Sequence, residues 1–304
     1  MELTWIVFQQ TVTMALYMAM GYLLYAGKKI SAEGSKSLAA ILLWLVIPAV
    51  IINSFCVERT GERVQQLLVS TALGTIALAA AIAMAKVLFP KSPVDNFAAA
   101  FSNAGFMGIP LVRACFGDDA VFYLVGFVSF LNLLQWTYGA SVLSRGKAHM
   151  GWKQILLNPI SVGLFVGLVV FFAGLGTRLP QVVQSTVKGI SSLNGPLAMV
   201  VLGVYLGQSN LAAMLTNKVL YKTSAVRLVL VPLVTAAILW LVPAGSAIRL
   251  AVLAAACAPV GSNVAVYAQV YGEDYPYACQ TVAMSTLFSI VTMPFILTLG
   301  GIIL

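Results

Sequence analysis

The stretch Asn103-Ala104-Gly105-Phe106-Met107-Gly108-Ile109-Pro110 lies within one long apolar run of the chain, and Ala258-Pro259-Val260-Gly261-Ser262-Asn263 lies within another. Proline has no N–H and its ring clashes with the preceding turn, while glycine tolerates the open conformations that follow. Both runs are therefore expected to break as helices. Pro110 suits the first position of a restarted half-helix, and Gly261-Ser262-Asn263 offers small and capping residues for another. In a membrane, such a break survives only where protein, water or a ligand satisfies the exposed N–H and C=O groups. Each restarted half-helix directs free N–H groups and a partial positive charge to the centre, which favours an anion. Asn103, Ser262 and Asn263 can add neutral hydrogen bonds.

The whole chain places these breaks in lipid. Its 304 residues are 61% hydrophobic and only 9% charged, with a mean hydropathy of +0.97, where a soluble domain runs at about 45–50% apolar and about 25% charged. At about 20 residues per span, ten spans take roughly 200 residues and leave no room for a sizeable soluble domain. The runs are too long for the ~10-residue alternating strands of an outer-membrane barrel. The fold class expected is an all-α integral membrane protein. Spans are expected near 4–26, 37–55, 67–89, 96–117, 120–143, 155–175, 186–207, 223–242, 247–271 and 277–303. Glu2 opens the chain without a basic region, so the first apolar stretch is read as a retained helix.

Charge sets the orientation. The formal charge of +8 comes from Lys and Arg spread among short loops, with no aromatic-interleaved stripe, so no nucleic-acid partner is expected. Odd-numbered connections hold Lys28, Lys29, Lys36, Lys86, Lys91, Arg145, Lys147, Lys153, Lys218 and Lys222, whereas the others offer mainly Arg59, Arg63, Arg178 and Arg249. The positive-inside rule makes the odd connections cytoplasmic and puts both termini outside.

Five spans followed by five impose opposite orientations on two halves, here 1–143 and 155–304, joined by a short cytoplasmic linker at 144–154. A trace of duplication supports this division. The fourth span ends in Phe116-Gly117-Asp118-Asp119 and the ninth in Tyr271-Gly272-Glu273-Asp274, and superposing the two glycines brings the two broken stretches into register. Interrupted spans at corresponding positions of inverted halves are the best sequence pointer to a transporter binding site.

At these residues the chain resembles the auxin efflux carrier family, whose bacterial members are described as malate and malonate permeases. The resemblance covers nearly the whole chain and includes Pro48 in the second span, the Asn103-to-Pro110 motif, Gln135-Trp136-Thr137-Tyr138, and the Ala258-to-Asn263 segment. It implies an inverted-repeat fold shared with bile-acid sodium symporters. In that fold helices 1, 2, 6 and 7 form a scaffold, the rest form a mobile transport domain, and broken helices 4 and 9 cross around the substrate. The expected motion is elevator-like. Plant members carry a long hydrophilic loop between the halves, which this chain lacks.

The candidate substrate-binding residues are Asn103, Gly105, Gly108, Pro110, Asn132, Gln135, Pro259, Gly261, Ser262 and Asn263, with Pro48 and Pro196 as helix-break positions. Asn132 and Gln135 lie three apart on one helix face, and two readings stay open: lining the cavity, or gluing helices together. Asn53, Asn158 and Asn194 neighbour Pro48, Pro159 and Pro196 and read as local repairs of freed backbone groups. Two G-x-x-x-G pairs, Gly163/Gly167 and Gly203/Gly207, permit close helix contact, either inside one subunit or across a homodimer. His149 reads as a solvated loop residue. The cysteines Cys56, Cys115, Cys257 and Cys279 are widely spaced and read as packing residues. All nine Asp and Glu fall at or near expected helix ends, so no buried carboxylate relay is written here.

These readings converge on a secondary transporter of a small carboxylate in a bacterial cytoplasmic membrane. The runner-up is a Na⁺-coupled organic-anion symporter of the bile-acid type, since carbonyls and Asn side chains at the breaks leave room for a Na⁺ site. From another class comes a membrane sensor or structural subunit without turnover. No metal-ligand cluster, His–nucleophile pair or phosphate loop is written in the sequence, so neither an enzyme nor a cofactor is expected.

Overall fold

The structure, a computed structural model, describes residues 2–147, 156–209 and 211–304. In chain order its helices are α1 (Glu2–Ala26), α2 (Ala32–Ser54), α3 (Gly61–Leu88), α4 (Pro93–Ala100), α5 (Ala104–Phe116), α6 (Asp118–Leu143) and α7 (Pro159–Phe172). There follow α8 (Gln181–Gln208), α9 (Leu211–Thr216), α10 (Lys218–Leu241), α11 (Ser246–Cys257), α12 (Asn263–Tyr271) and α13 (Tyr275–Ile303). Among the described residues no strand forms, and 6 helices (α2, α3, α6, α8, α10 and α13) are long and apolar enough to cross a membrane. Phe165, Val291, Phe295 and Ile302 point outward, as side chains facing lipid must.

Local chemistry sets the helix ends. Ser31, Thr60, Asn158, Asn217 and Asp274 cap α2, α3, α7, α10 and α13 by accepting from N–H groups of the first turn. Asn158 thus acts as the cap of a helix that Pro159 opens. Gly117 and Gly272, the paired glycines of the sequence trace, end α5 and α12 at φ of 85° and 73°, a region other residues avoid. The acids that follow also have work there. Asp118 pairs with Arg113 at 2.8 Å, Asp119 with Arg63 at 2.7 Å, and Glu273 with Arg145 at 2.6 Å. Glu273 holds the exposed Arg145 guanidinium above its ordinary pKa, chiefly through their hydrogen bond.

Prolines widen the helices rather than only kinking them. Ile47, Ile109 and Val231 donate to carbonyls five residues back, at Leu42, Ala104 and Val226, and each is followed directly by a proline, at 48, 110 and 232. The ring removes the next N–H and crowds the carbonyl four residues before it, so the turn opens to a five-residue step. A fourth wide turn, Gln135–Gly139 in α6, has no proline.

Several expected boundaries move. The fourth span starts at Pro93, the seventh at Gln181, and the eighth at Lys218, because polar first turns lengthen helices beyond their apolar part. Pro110 does not open the restarted half-helix: α5 restarts at Ala104 with the wide turn, and Pro110 is second in its regular part. Ser262 occupies the N-cap position of α12 but makes no side-chain cap bond. Near Pro196, α8 is interrupted at Leu193. His149 and Lys153 lie outside the described residues.

Both G-x-x-x-G pairs serve packing within this subunit. A Cβ on Gly203 would lie 1.9 Å from the Met18 carbonyl oxygen of α1, and one on Gly163 would lie 2.9 Å from Pro48 Cα of α2. Gly167 and Gly207 lie as tightly on Phe55 and Tyr25. The pairs therefore bring α8 onto α1 and α7 onto α2, and they give no grounds for a dimer interface. Cys257 and Cys279 are buried, Cys56 and Cys115 half-buried, and all four are free thiols.

Candidate functional site

Between α4 and α5, and again between α11 and α12, the chain unwinds, and the two unwound segments meet. Ser102 and Val260 form an antiparallel bridge. Its bonds run from Asn103 N–H to Pro259 O at 2.7 Å and from Gly261 N–H to Phe101 O at 3.0 Å. Val260 N–H donates to Ser285 Oγ of α13 at 3.1 Å. Each break thus satisfies the backbone groups of the other, as irregular backbone at membrane depth requires. A Cβ on Gly261 would lie 3.1 Å from the Ser102 carbonyl, so this position favours the absence of a side chain.

Side chains complete the crossover. Asn263 Nδ2 donates to Gln135 Oε1 at 2.7 Å, and Asn132 Nδ2 donates to Val128 O in its own helix at 2.7 Å. Asn103 is only 5% exposed, yet its Nδ2 finds no partner among the described residues, and neither does Ser102 Oγ. These donors line a cavity of about 30 Å³ together with Asn132, Gln135, Gly261, Ser262 and Asn263. It adjoins a larger cavity of about 330 Å³, with Leu43, Phe106, Asn132, Ser262 and Asn263 common to both. The larger space runs between α2 on one side and α6 and α12 on the other, with Trp136, Tyr205 and Tyr267 in its wall and the cation of Lys36 among its lining groups.

The structure brings Asn103, Gly105, Asn132, Gln135, Gly261, Ser262 and Asn263 together around this space. Three other candidates take different places. Pro259 contributes its carbonyl to the bridge, Gly108 packs against Ala255 of α11, and Pro110 packs against Gly195 of α8. Asn194 corrects its expected reading as a local repair: fully buried, it donates to Gly105 O at 2.8 Å and ties α8 to the restarted half-helix. Its sequence neighbour Pro196 hid that long-range partner.

Sequence reasoning missed Ser102, Lys36 and, above all, Arg227. Arg227 sits in the wide turn of α10 at 1% exposure. Its Nη1 donates to Ala99 O and Ala100 O at 3.1 and 3.3 Å, and its Nη2 to Ala256 O. The carbonyl ends of α4 and α11 are thereby capped by one guanidinium. An arginine inside an apolar span is itself a functional signal, and the sequence reading passed over it. Asp95 is also buried, receiving hydrogen bonds from Ser92, Thr223 and Tyr277. It does stand at a helix end, in the first turn of α4.

The geometry is that of a multi-pass membrane protein with a polar site at the meeting of two interrupted helices. Residues 6–151 and 141–297 match the family described as membrane transport protein, and the chain belongs to that family. It is 25% identical over 276 residues to a protein of Rhizobium meliloti (strain 1021) named "Putative malonate transporter", covering 84% of each chain. It is 28% identical over 206 residues to an uncharacterized transporter of Methanothermobacter thermautotrophicus, covering 65% of this chain and 64% of that one. The protein is a membrane transporter, of the auxin efflux carrier-like kind, and not an enzyme.

Proposed function

We propose that the chain is a secondary carrier of a small organic anion, with the carboxylate held at the crossover of the two interrupted helices. One observation carries this reading: the buried, unpartnered Asn103 amide donor stands at the start of α5 in a cavity that the start of α12 also lines. A buried donor without an acceptor costs about 1–3 kcal/mol, and a carboxylate oxygen removes that cost. The positive ends of α5 and α12 attract the same charge. Lys36, beside the larger cavity, adds to the attraction.

In this reading α4 with α5, and α11 with α12, each form one interrupted span, giving ten spans in two inverted halves. The close packing of α1 on α8 and of α2 on α7 suits a rigid scaffold, against which the remaining helices carry the crossover in an elevator-like step. The larger cavity is lined by Lys36 near the start of α2 and Tyr275 at the start of α13, so it opens toward the 27–31 and 272–274 connections. By the positive-inside rule that side is cytoplasmic, in the cytoplasmic membrane of a bacterium, with both termini outside. For export of a monovalent anion, an inside-negative potential of 100 mV supplies about 2.3 kcal/mol, roughly a fifty-fold gradient. The name of the Rhizobium relative makes malonate the first substrate to test.

Counterflow of labelled malonate, malate and monocarboxylates into proteoliposomes tests the site. Wild type is expected to exchange at least one of them and Asn103→Ala and Asn263→Ala to lose exchange while remaining folded. Normal exchange in both variants would reject the crossover as the site.

A further inference from the structure

The crossover has two electrical faces, and only one of them meets the cavity. On the cavity side stand the amino ends of α5 and α12. On the other side stand the carboxyl ends of α4 and α11, whose last carbonyls have lost their helical donors because the chain unwinds after Ala100 and Cys257. Asn103 N–H goes to Pro259 and Val260 N–H to Ser285, so neither returns to its own helix. Each helix terminus carries about half an elementary charge. The two carboxyl ends together therefore present about one negative charge, in a place without solvent. Converging carbonyl ends of this kind are where membrane carriers coordinate a coupling alkali-metal ion.

Here the position is filled from within the chain. We infer that Arg227 is a tethered cation, standing where carbonyls of the two half-helices would otherwise hold a metal ion, so that the crossover loads its anion without sodium at that place. The guanidinium reaches carbonyls of both helices, Ala99 and Ala100 of α4 and Ala256 of α11. It makes no ion pair among the described residues, and at 1% exposure it is buried. The buried acid Asp95 of α4 serves other donors: it is held by Thr223, one turn before Arg227, and by Tyr277 and Ser92. Guanidinium is always charged and has five N–H donors but no acceptor, so its two amino groups suit a cluster of carbonyls, while its Nε finds no partner among the described residues. One positive charge balances the two carboxyl ends, leaving the two amino ends, about one further positive charge, unopposed toward a monovalent anion. Arg227 touches no substrate in this scheme. It is a positioning residue that locks two half-helices together and sets the field between them.

The inference rests on the crossover reading above, and its test separates the two. Purified wild type is heated in sodium chloride and in choline chloride. Equal midpoints are expected, and a sodium-specific rise overturns the inference. Arg227→Ala is expected to melt about 10 °C lower, as for a buried charge removed from its partners, and to be raised by millimolar guanidinium ions, which fit the vacated space. Folded Arg227→Ala that ignores guanidinium overturns it. Should the alanine variant not fold, Arg227→Lys is compared with Arg227→Met: the lysine variant is expected to melt higher, and equal midpoints overturn the inference. Anion counterflow by wild type is expected to run equally in sodium and choline, and strict sodium dependence overturns it. Absence of any anion flux, with the thermal responses as expected, fails the carrier reading and upholds the tethered cation.

Discussion

The two breaks in the helices reach one geometry by different chemistry. The first, between α4 and α5, has no proline at the break itself; Pro110 lies further along, and the restart passes through a wide turn. The second, between α11 and α12, has Pro259 inside the unwound segment and restarts as a regular helix. The difference extends to the paired asparagines. Asn263 has its amide engaged by Gln135 before any ligand arrives, whereas the Asn103 amide is held ready and empty-handed. Under the proposed function, the first break is the one that would meet the anion, and the second the one already held by Gln135.

Breaking this asymmetry should show it in a graded series. The largest effect is expected for Asn103→Ala, which removes a donor to a charged acceptor worth about 1.5–3 kcal/mol, or about tenfold to a hundredfold in anion affinity. Its melting midpoint should barely move, because the lost group had no protein partner; a large fall would show that Asn103 is structural. Asn263→Ala comes next: anion affinity falls by less, because its amide is shared with Gln135, and stability also falls by about 1–3 kcal/mol because Gln135 is left buried without its donor. Thermal denaturation alongside counterflow distinguishes this double loss from the single loss at Asn103. Gln135→Leu should lower stability by a similar amount but leave measurable transport with a raised KM, since Asn263 then swings free of its anchor. A KM equal to that of wild type would place the Asn263–Gln135 bond outside the site. Pro110→Ala is expected to do least. It restores an N–H that can close the wide turn onto Phe106, changing stability by no more than about 1 kcal/mol and transport less than threefold.

Much of this was legible before any coordinates. Long apolar runs with acids only at or near their ends define the membrane class, and the Gly/Pro interruptions near Asn103 and Pro259 mark where the helices fail. Gly117 and Gly272 repeat a local signature that the backbone repeats as two positive φ angles. Less legible were partners chosen across the fold. Asn194 read as a repair of its own helix and instead reaches Gly105; Gly163 and Gly203 read as dimer or subunit contacts and meet Pro48 and Met18. Arg227 drew no reading from the sequence, and its three carbonyl partners come from residues 29 to 128 positions away.

The sequence by itself determined that this protein lies in lipid and marked, by its Gly/Pro clusters near Asn103 and Pro259, where two helices are weakest, because hydropathy and backbone propensity act within a turn or two of the chain. Only the tertiary structure decided that the two breaks satisfy each other, that one guanidinium caps both, and that one asparagine amide is left open. Those outcomes depend on which buried donor comes within 3 Å of which acceptor, and in a dry interior that choice belongs to the packing of whole helices.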